Sequence, residues 1–269
     1  MVQYIHGHHG SVIASHGART AADSAAYLLP HLRPGMRVLD LGCGPGTITL
    51  DLAQVVSRDG GGVVGLENTP EPLEIARANA AERGDTTTQW VLGDAYALPY
   101  PDGSFDVTHA HQVLQHLADP VAALREMARV TTPGGLVAAR DADYGGMIWH
   151  PEMPGLTRWL DVYRRAARAS GGEPDAARHL LAWANAAGLG NELTLSTSTW
   201  SYSGPFARTW WGGQWAQRAT QSSFASVTVS AGIADEAELQ QIAAAWTAWS
   251  EHPDAWFAMI HTEILARVA

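Results

Sequence analysis

The stretch VLDLGCGPGTITLDLA, residues 38–53, constrains the chain more than any other. An apolar run meets glycines at the alternate positions 42, 44 and 46, and Ile48, Leu52, Val55 and Val56 then recur at helical spacing. This reads as strand, sharp turn, helix. Glycines in such a turn bring backbone N–H groups and a helix N-terminus against a ligand. A dinucleotide fingerprint requires a third glycine at position 47, where Thr47 stands; the spacing is Gly-x-Gly-x-Gly, preceded by Asp40.

The same alternation continues down the chain. Residues 61–67 (GGVVGLE) form a second strand, and 70–84 (PEPLEIARANAAERG) a helix with acids in its first turn and Gly84 at its end. Residues 86–94, 105–111 and 135–143 supply three more strands, the fourth followed by a helix with Asp119 as N-cap and Pro120 at its first position. The expected fold class is α/β, a Rossmann-like doubly wound sheet, mostly parallel, with helices on both faces. In such sheets ligands sit beyond the carboxyl ends of the strands. Glu67 follows the second strand, about 20 residues beyond the glycines, where a carboxylate accepts from both ribose hydroxyls. Asp94 follows the third, placed to accept from an exocyclic amine. Together these residues outline an adenosine-shaped slot, against the alternatives of a turn-capping acid at Asp40 and solvated strand ends at Glu67 and Asp94.

Composition excludes several chemistries. Seventeen basic residues against 27 acidic ones give a net charge of −10, which opposes the phosphate contacts of nucleic-acid binding. All 17 are arginine, so neither a phosphate-loop lysine nor a Schiff-base lysine exists. The single cysteine, Cys43, rules out an intramolecular disulfide and reads as a small residue in a tight place. No apolar run approaches the ~20 residues of a membrane span, and the opening MVQYIHGHHG has no signal-peptide pattern, so a cytoplasmic location with no membrane partner is expected.

Four separated motifs then carry a resemblance: VLDLGCGPG, VVGLE, and the run from GDAYALPYPDGSF through DVTHAHQVLQHLADP to VAALREMARVTTPGG. Over residues 35–145 the chain resembles the class I S-adenosylmethionine-dependent methyltransferases of the ubiquinone/menaquinone C-methyltransferase type. The resemblance implies S-adenosyl-L-methionine as cofactor and a small-molecule methyl acceptor as partner. It places Gly42, Cys43, Gly44 and Gly46 around the methionine part, with Asp40 on its ammonium group. Glu67 and the adjacent Asn68 fall at the ribose, Asp94 and Ala95 at the adenine, and the His111 backbone at the ammonium.

Methyl transfer from a sulfonium requires alignment and dryness, and a base only where the acceptor loses a proton. Twelve histidines are present, and imidazole has the right ordinary pKa for such work. His111, at the end of the fourth strand, is the first choice; His109 lies two residues deeper on the same face, and His116 reads as a local cap near Asp119. His9, within the HGHHG string beside His6 and His8, is a second candidate base; no nearby acid or cysteine completes a zinc site there. Residues 20–32 read as a lid helix over the cofactor end of the sheet, with Arg19 either pairing with the cofactor carboxylate or lying on the surface.

Beyond residue 145 come amphipathic helices, an alternating strand at 191–202 and a closing segment, 255–268, expected as a final antiparallel strand. One domain is expected: lid 1–34, cofactor core 35–145, helices and a sixth strand 146–202, an inserted helical cap 203–252 and the closing strand 253–269. Ten of eleven tryptophans occur from Trp149 onward; most should pack internally, the others lining a pocket for a flat apolar acceptor. The opening segment is similar to actinobacterial secondary-metabolism enzymes, which narrows the expected acceptor to the indole C3 of tryptophan-derived cyclic dipeptides. The rival readings are a nicotinamide-dependent dehydrogenase, disfavoured by glycine spacing, and a catalytically silent cofactor-binding module. A monomer or homodimer is expected.

Overall fold

A computed structural model describes residues 16–269. Eight strands form one sheet: β1 (Arg37–Leu41), β2 (Gly62–Glu67), β3 (Gln89–Leu92), β4 (Phe105–His111), β5 (Thr131–Ala142), β6 (Ile148–His150), β7 (Leu193–Tyr202) and β8 (Trp256–Arg267). The first five are parallel in the order β3-β2-β1-β4-β5. The closing strand β8 runs antiparallel to β5, and β7 antiparallel to β8. Leu265 pairs with both Ala138 of β5 and Thr194 of β7, so those strands flank β8 on opposite sides. The short β6, which the sequence did not suggest, pairs with Ala258 and Phe257 and continues the β5 side.

The central strands explain their own composition. Val38, Leu39 and Leu41 of β1 are buried, as a parallel strand covered on both faces requires. On one face α2 (Thr47–Val56) places Ile48, Leu52, Ala53 and Val56 against Val38, Val63 and Val107. On the other, α4 (Pro120–Val130) places Leu124, Met127 and Val130 against Leu39, Ala110 and Val137. The α3 helix (Pro70–Glu82) covers the β2–β3 end. Strand β7 is largely exposed and rich in serine and threonine, as suits the edge of a sheet.

The lid helix expected over residues 20–32 is a single turn, α1 (Ala21–Ser24), closed by a capping box between Thr20 and Asp23. Its C-cap is Ala25, and a separate 3-10 turn holding Pro30 follows at Leu29–His31. Ala21, Ala25, Leu28 and Leu32 pack beside α2 on the sheet face, and of the described residues before β1 His16 and Arg19 reach the pocket at the strand ends.

After β6 come α5 (Pro154–Ala169) and α6 (Leu180–Ala186), the latter preceded by a 3-10 turn at Ala176–His179. Between β7 and β8 lie α7 (Pro205–Gln221), α8 (Ser223–Ser230) and α9 (Glu236–Glu251), the last capped by Asp235. These helices build an aromatic core with α5. Trp159 sits at its centre, 4.5 Å from Trp215 and 4.8 Å from Trp246, both edge to face. This geometry sets ring edges against ring faces of opposite partial charge. Trp159 is fully buried. Its replacement in Trp159→Ala should cost about 3–5 kcal/mol, read as a lowered urea midpoint with loss of near-UV circular dichroism.

Candidate active site

The carboxyl ends of β1, β2, β3 and β4 open into a pocket of about 800 Å³. Its floor is the turn after β1. The Gly42 and Cys43 N–H groups both donate to the Leu66 carbonyl, at 2.7 and 3.1 Å, and the Gly44 N–H donates to Glu67 Oε1 at 2.8 Å. All three glycines have positive φ: 66° at Gly42, 54° at Gly44 and 78° at Gly46. Their surroundings differ. A Cβ at Gly42 would lie 2.4 Å from Val113 Cγ2, and one at Gly46 2.4 Å from the Trp90 ring, whereas one at Gly44 meets nothing within 4 Å. The chain itself fills the space a side chain would take at two of the glycines, and of the three only Gly44 has that space open.

The third glycine, Gly46, is placed differently. It does not line the pocket; it caps α2 under Trp90, with its N–H donating to the Cys43 carbonyl at 3.0 Å. Asp40, Gly42, Cys43, Gly44, Glu67, Asn68, Asp94, Ala95, His111 and Arg19 do line it. His9 lies outside the described residues, as do His6 and His8. Cys43 is buried, and burial with the nearby Asp40 and Glu67 charges holds its thiol well above its usual pKa.

Asp40 is 3% exposed. Its Oδ1 accepts from His109 Nδ1 at 2.8 Å and its Oδ2 from the Thr49 hydroxyl at 2.6 Å. His109 is thus an internal partner of Asp40, as its register opposite that residue dictates. Glu67 accepts from Gly44 and Asn68 N–H groups, leaving acceptor capacity on the pocket side. Burial raises its pKa, opposed by those two hydrogen bonds. Asp94 Oδ1 takes the Tyr96 N–H at 2.9 Å.

The β4 end supplies residues that the sequence reading passed over. Gln112 is a non-glycine residue at φ 53°, for which no local sequence signal exists. Its Oε1 accepts from Arg19 Nη2 at 2.8 Å. His116 lines the pocket from the 3-10 turn Leu114–His116, while the cap of α4 is made by the Asp119 carboxylate on the Ala122 N–H. Burial, with Arg19 adding to it, pushes the His116 pKa down to about 3, so its ring is neutral. That turn is held from below by Asp141, whose Oδ1 accepts the Gln115 N–H at 3.2 Å. No tryptophan lines the pocket; Trp200 stands behind it, 5.6 Å from the His111 ring.

His111 is 6% exposed, and neither of its ring nitrogens has a hydrogen-bond partner among the described residues. Burial first, then the Arg19 and Arg140 charges, hold its pKa well below the usual histidine value. The imidazole is neutral at pH 7.

A sequence profile described as a methyltransferase domain matches residues 32–169, about half of the chain. The chain belongs to this methyltransferase family. It is 33% identical to an uncharacterized methyltransferase of Schizosaccharomyces pombe over 97% of this chain and 95% of that protein. It is 30% identical to a probable methyltransferase of Aspergillus luteorubrus over 98% of this chain and 96% of that one. Among solved structures, a putative methyltransferase from Bacillus halodurans shares the fold, with a TM-score of 0.59 at 18% identity over 96% of this chain and 99% of that chain. The protein is a class I S-adenosylmethionine-dependent methyltransferase. Its pocket fits that cofactor: unfilled space over Gly44, acceptor capacity at Glu67 and Asp94, and one guanidinium at Arg19.

Two predictions follow from the geometry. Gly44→Ala should fold and lose cofactor affinity, measured by calorimetry, whereas Gly46→Ala should lower the melting temperature by forcing the Trp90 ring aside. Burial raises the Asp141 pKa to about 8, opposed by N–H groups of Gln115 and Leu114. Between the ordinary carboxylate value and 8 the folded chain then binds a proton that the unfolded chain has released, so this group costs stability as pH rises, up to about 1.4 kcal/mol per unit. Asp141→Asn should be less pH-sensitive than the parent in urea unfolding at pH 5 and pH 8.

Proposed function

We propose that this methyltransferase acts on a small aromatic or otherwise hydrophobic metabolite and that His111 accepts the hydrogen the acceptor loses. The observation that carries the reading is the buried imidazole of His111, a pocket-lining residue at the end of β4, with neither ring nitrogen hydrogen-bonded among the described residues. A buried polar group left in this way costs about 1–3 kcal/mol, a cost offset when an acceptor N–H or O–H donates to it.

The cofactor contacts proposed with this reading are Glu67 and Asn68 at the ribose and Asp94 and Ala95 at the adenine. Gly42, Cys43 and Gly44 lie along the methionine part, Asp40 lies near its ammonium, and Arg19 pairs with its carboxylate. Bound S-adenosylmethionine supplies a methyl carbon already activated by its sulfonium. Alignment of two reactants at about 3 Å can supply roughly 7–11 kcal/mol of the barrier.

A histidine with so low a pKa is a weak base. It suits acceptors that become acidic as the new bond forms: phenols, amines, and indoles, whose N–H acidifies when C3 attacks. A phenol or amine X–H then leaves as X–CH3, its proton passing to His111 Nδ1 or Nε2 and on to water; a tryptophan-derived indole, whose C3 carries no hydrogen, gains the C3–CH3 bond and gives up its N–H proton by the same route. Within that class the reading narrows to the indole C3 of a tryptophan-derived cyclic dipeptide, supported by the resemblance of the opening segment and by this match of acidities. His9 is the alternative base.

The test supplies the purified enzyme with labelled methyl donor and a panel of tryptophan cyclic dipeptides, quinones and phenols, followed by mass spectrometry. One added methyl mass with accumulation of S-adenosylhomocysteine is expected. With the acceptor so found, His111→Ala should lower kcat by about 10²–10⁴-fold while cofactor affinity stays near that of the parent. An unchanged kcat would remove His111 from the chemistry, and methylation of quinones or phenols alone would discard the indole.

A further inference from the structure

The Arg19 side chain reaches the pocket from outside the sheet, on a long flexible stem, yet it is held from two directions. Its Nη2 donates to Gln112 Oε1 at 2.8 Å, and its guanidinium lies 5.4 Å from the centre of the Trp200 ring. The ring is itself fixed, its indole N–H donating to the Asp23 carbonyl at 3.0 Å.

Gln112 in turn has only one consistent orientation. Since Oε1 accepts from Arg19, Nε2 is the donor toward His261 Nε2, 2.8 Å away. His261 Nε2 must then be unprotonated, and its Nδ1–H donates to the Met259 carbonyl at 3.1 Å. Burial, with the Arg140 and Arg19 charges, keeps the His261 ring neutral, as this arrangement requires. The left-handed backbone at Gln112, φ 53°, aims its side chain between the guanidinium and β8, and its N–H is secured by the Arg140 carbonyl at 2.7 Å.

We propose that Gln112 and His261 are positioning residues, a brace running from β8 through the end of β4 that presents the Arg19 guanidinium to the carboxylate of the cofactor's methionine end. The brace rests on the reading of Arg19 as the carboxylate contact. It acts on binding of one ligand group without touching the reacting atoms. His261, distant in sequence and on the far side of β5, sets the strength of a cofactor contact through a single amide whose two ends are both committed.

The experiment compares two ligands by calorimetry on the full chain without any acceptor: S-adenosylhomocysteine and its decarboxylated analogue. Arg19→Gln should weaken the first by about tenfold or more and leave the second within about twofold. Gln112→Leu and His261→Phe should show the same selective loss, and His261→Gln, whose Oε1 can accept from the Gln112 amide, should restore it. The double variant Arg19→Gln with Gln112→Leu should bind S-adenosylhomocysteine no more weakly than Arg19→Gln alone. Thermal melts confirm that each variant is folded, and if Gln112→Leu is not, His261→Phe and its rescue decide the matter. Equal weakening of both ligands in the Gln112 and His261 variants would overturn the brace as a merely structural effect. Selective loss in Arg19→Gln with none in those variants would also overturn the brace while leaving the Arg19 contact standing. No loss in Arg19→Gln would overturn both.

Discussion

The whole site depends on how the turn after β1 is tied to the end of β2. Two successive N–H groups, of Gly42 and Cys43, share the Leu66 carbonyl, and the next glycine's N–H is taken by the Glu67 carboxylate. A backbone that donates three times in this way must bend through left-handed conformations, which L side chains resist and glycine does not. Val113 and Trp90 then close over Gly42 and Gly46, so the opening at Gly44 has walls on both sides. The same hydrogen bonds that shape the floor set the direction of Glu67, and the buried pairing of Asp40 with His109 and Thr49 fixes the strand end beneath it.

Charge is sorted across this floor. Asp40, Glu67 and Asp94 line the side formed by β1, β2 and β3, and Arg19, held against Gln112, lines the side at the end of β4. The histidines at that end are neutral because burial beside arginines disfavours imidazolium. Most tryptophans pack internally, as expected, and none lines the pocket. Eight of them build or pack against a separate core between α5 and the helices inserted before β8, and one of these, Trp200, acts as a surface for two guanidinium groups and a neighbour for His111. The β4 end of the pocket is thus built from the sheet, from the 3-10 turn at Leu114–His116 and from the segment before α1.

Local pattern made the parallel sheet, the order of its elements and most of the pocket wall readable. Strand ends alternate with helix starts, and the pocket opens at the strand ends, so Glu67, Asp94 and His111 could be placed on its wall from position alone. Pattern did not distinguish the three glycines, because what occupies the space above each comes from Val113 and Trp90, tens of residues away. It overran the first helix, which ends at Ser24, and it assigned His116 to a cap that Asp119 makes by itself. Gln112 carried no signal, since its role arises from contacts with residues 93 positions before it and 149 positions after it.

The chain's own order of residues determined a strand, a glycine turn and a helix with acids at neighbouring strand ends, because periodicity and turn chemistry act over a few residues. It determined as well, through the absence of lysine, which phosphate and imine chemistries are closed to it. The folded structure alone decided which glycine faces open space, which histidine is left without a partner, and how Arg19 is aimed. Those properties depend on burial and on hydrogen bonds between distant segments, and neither exists until the sheet has brought β4, β8 and the segment before α1 together.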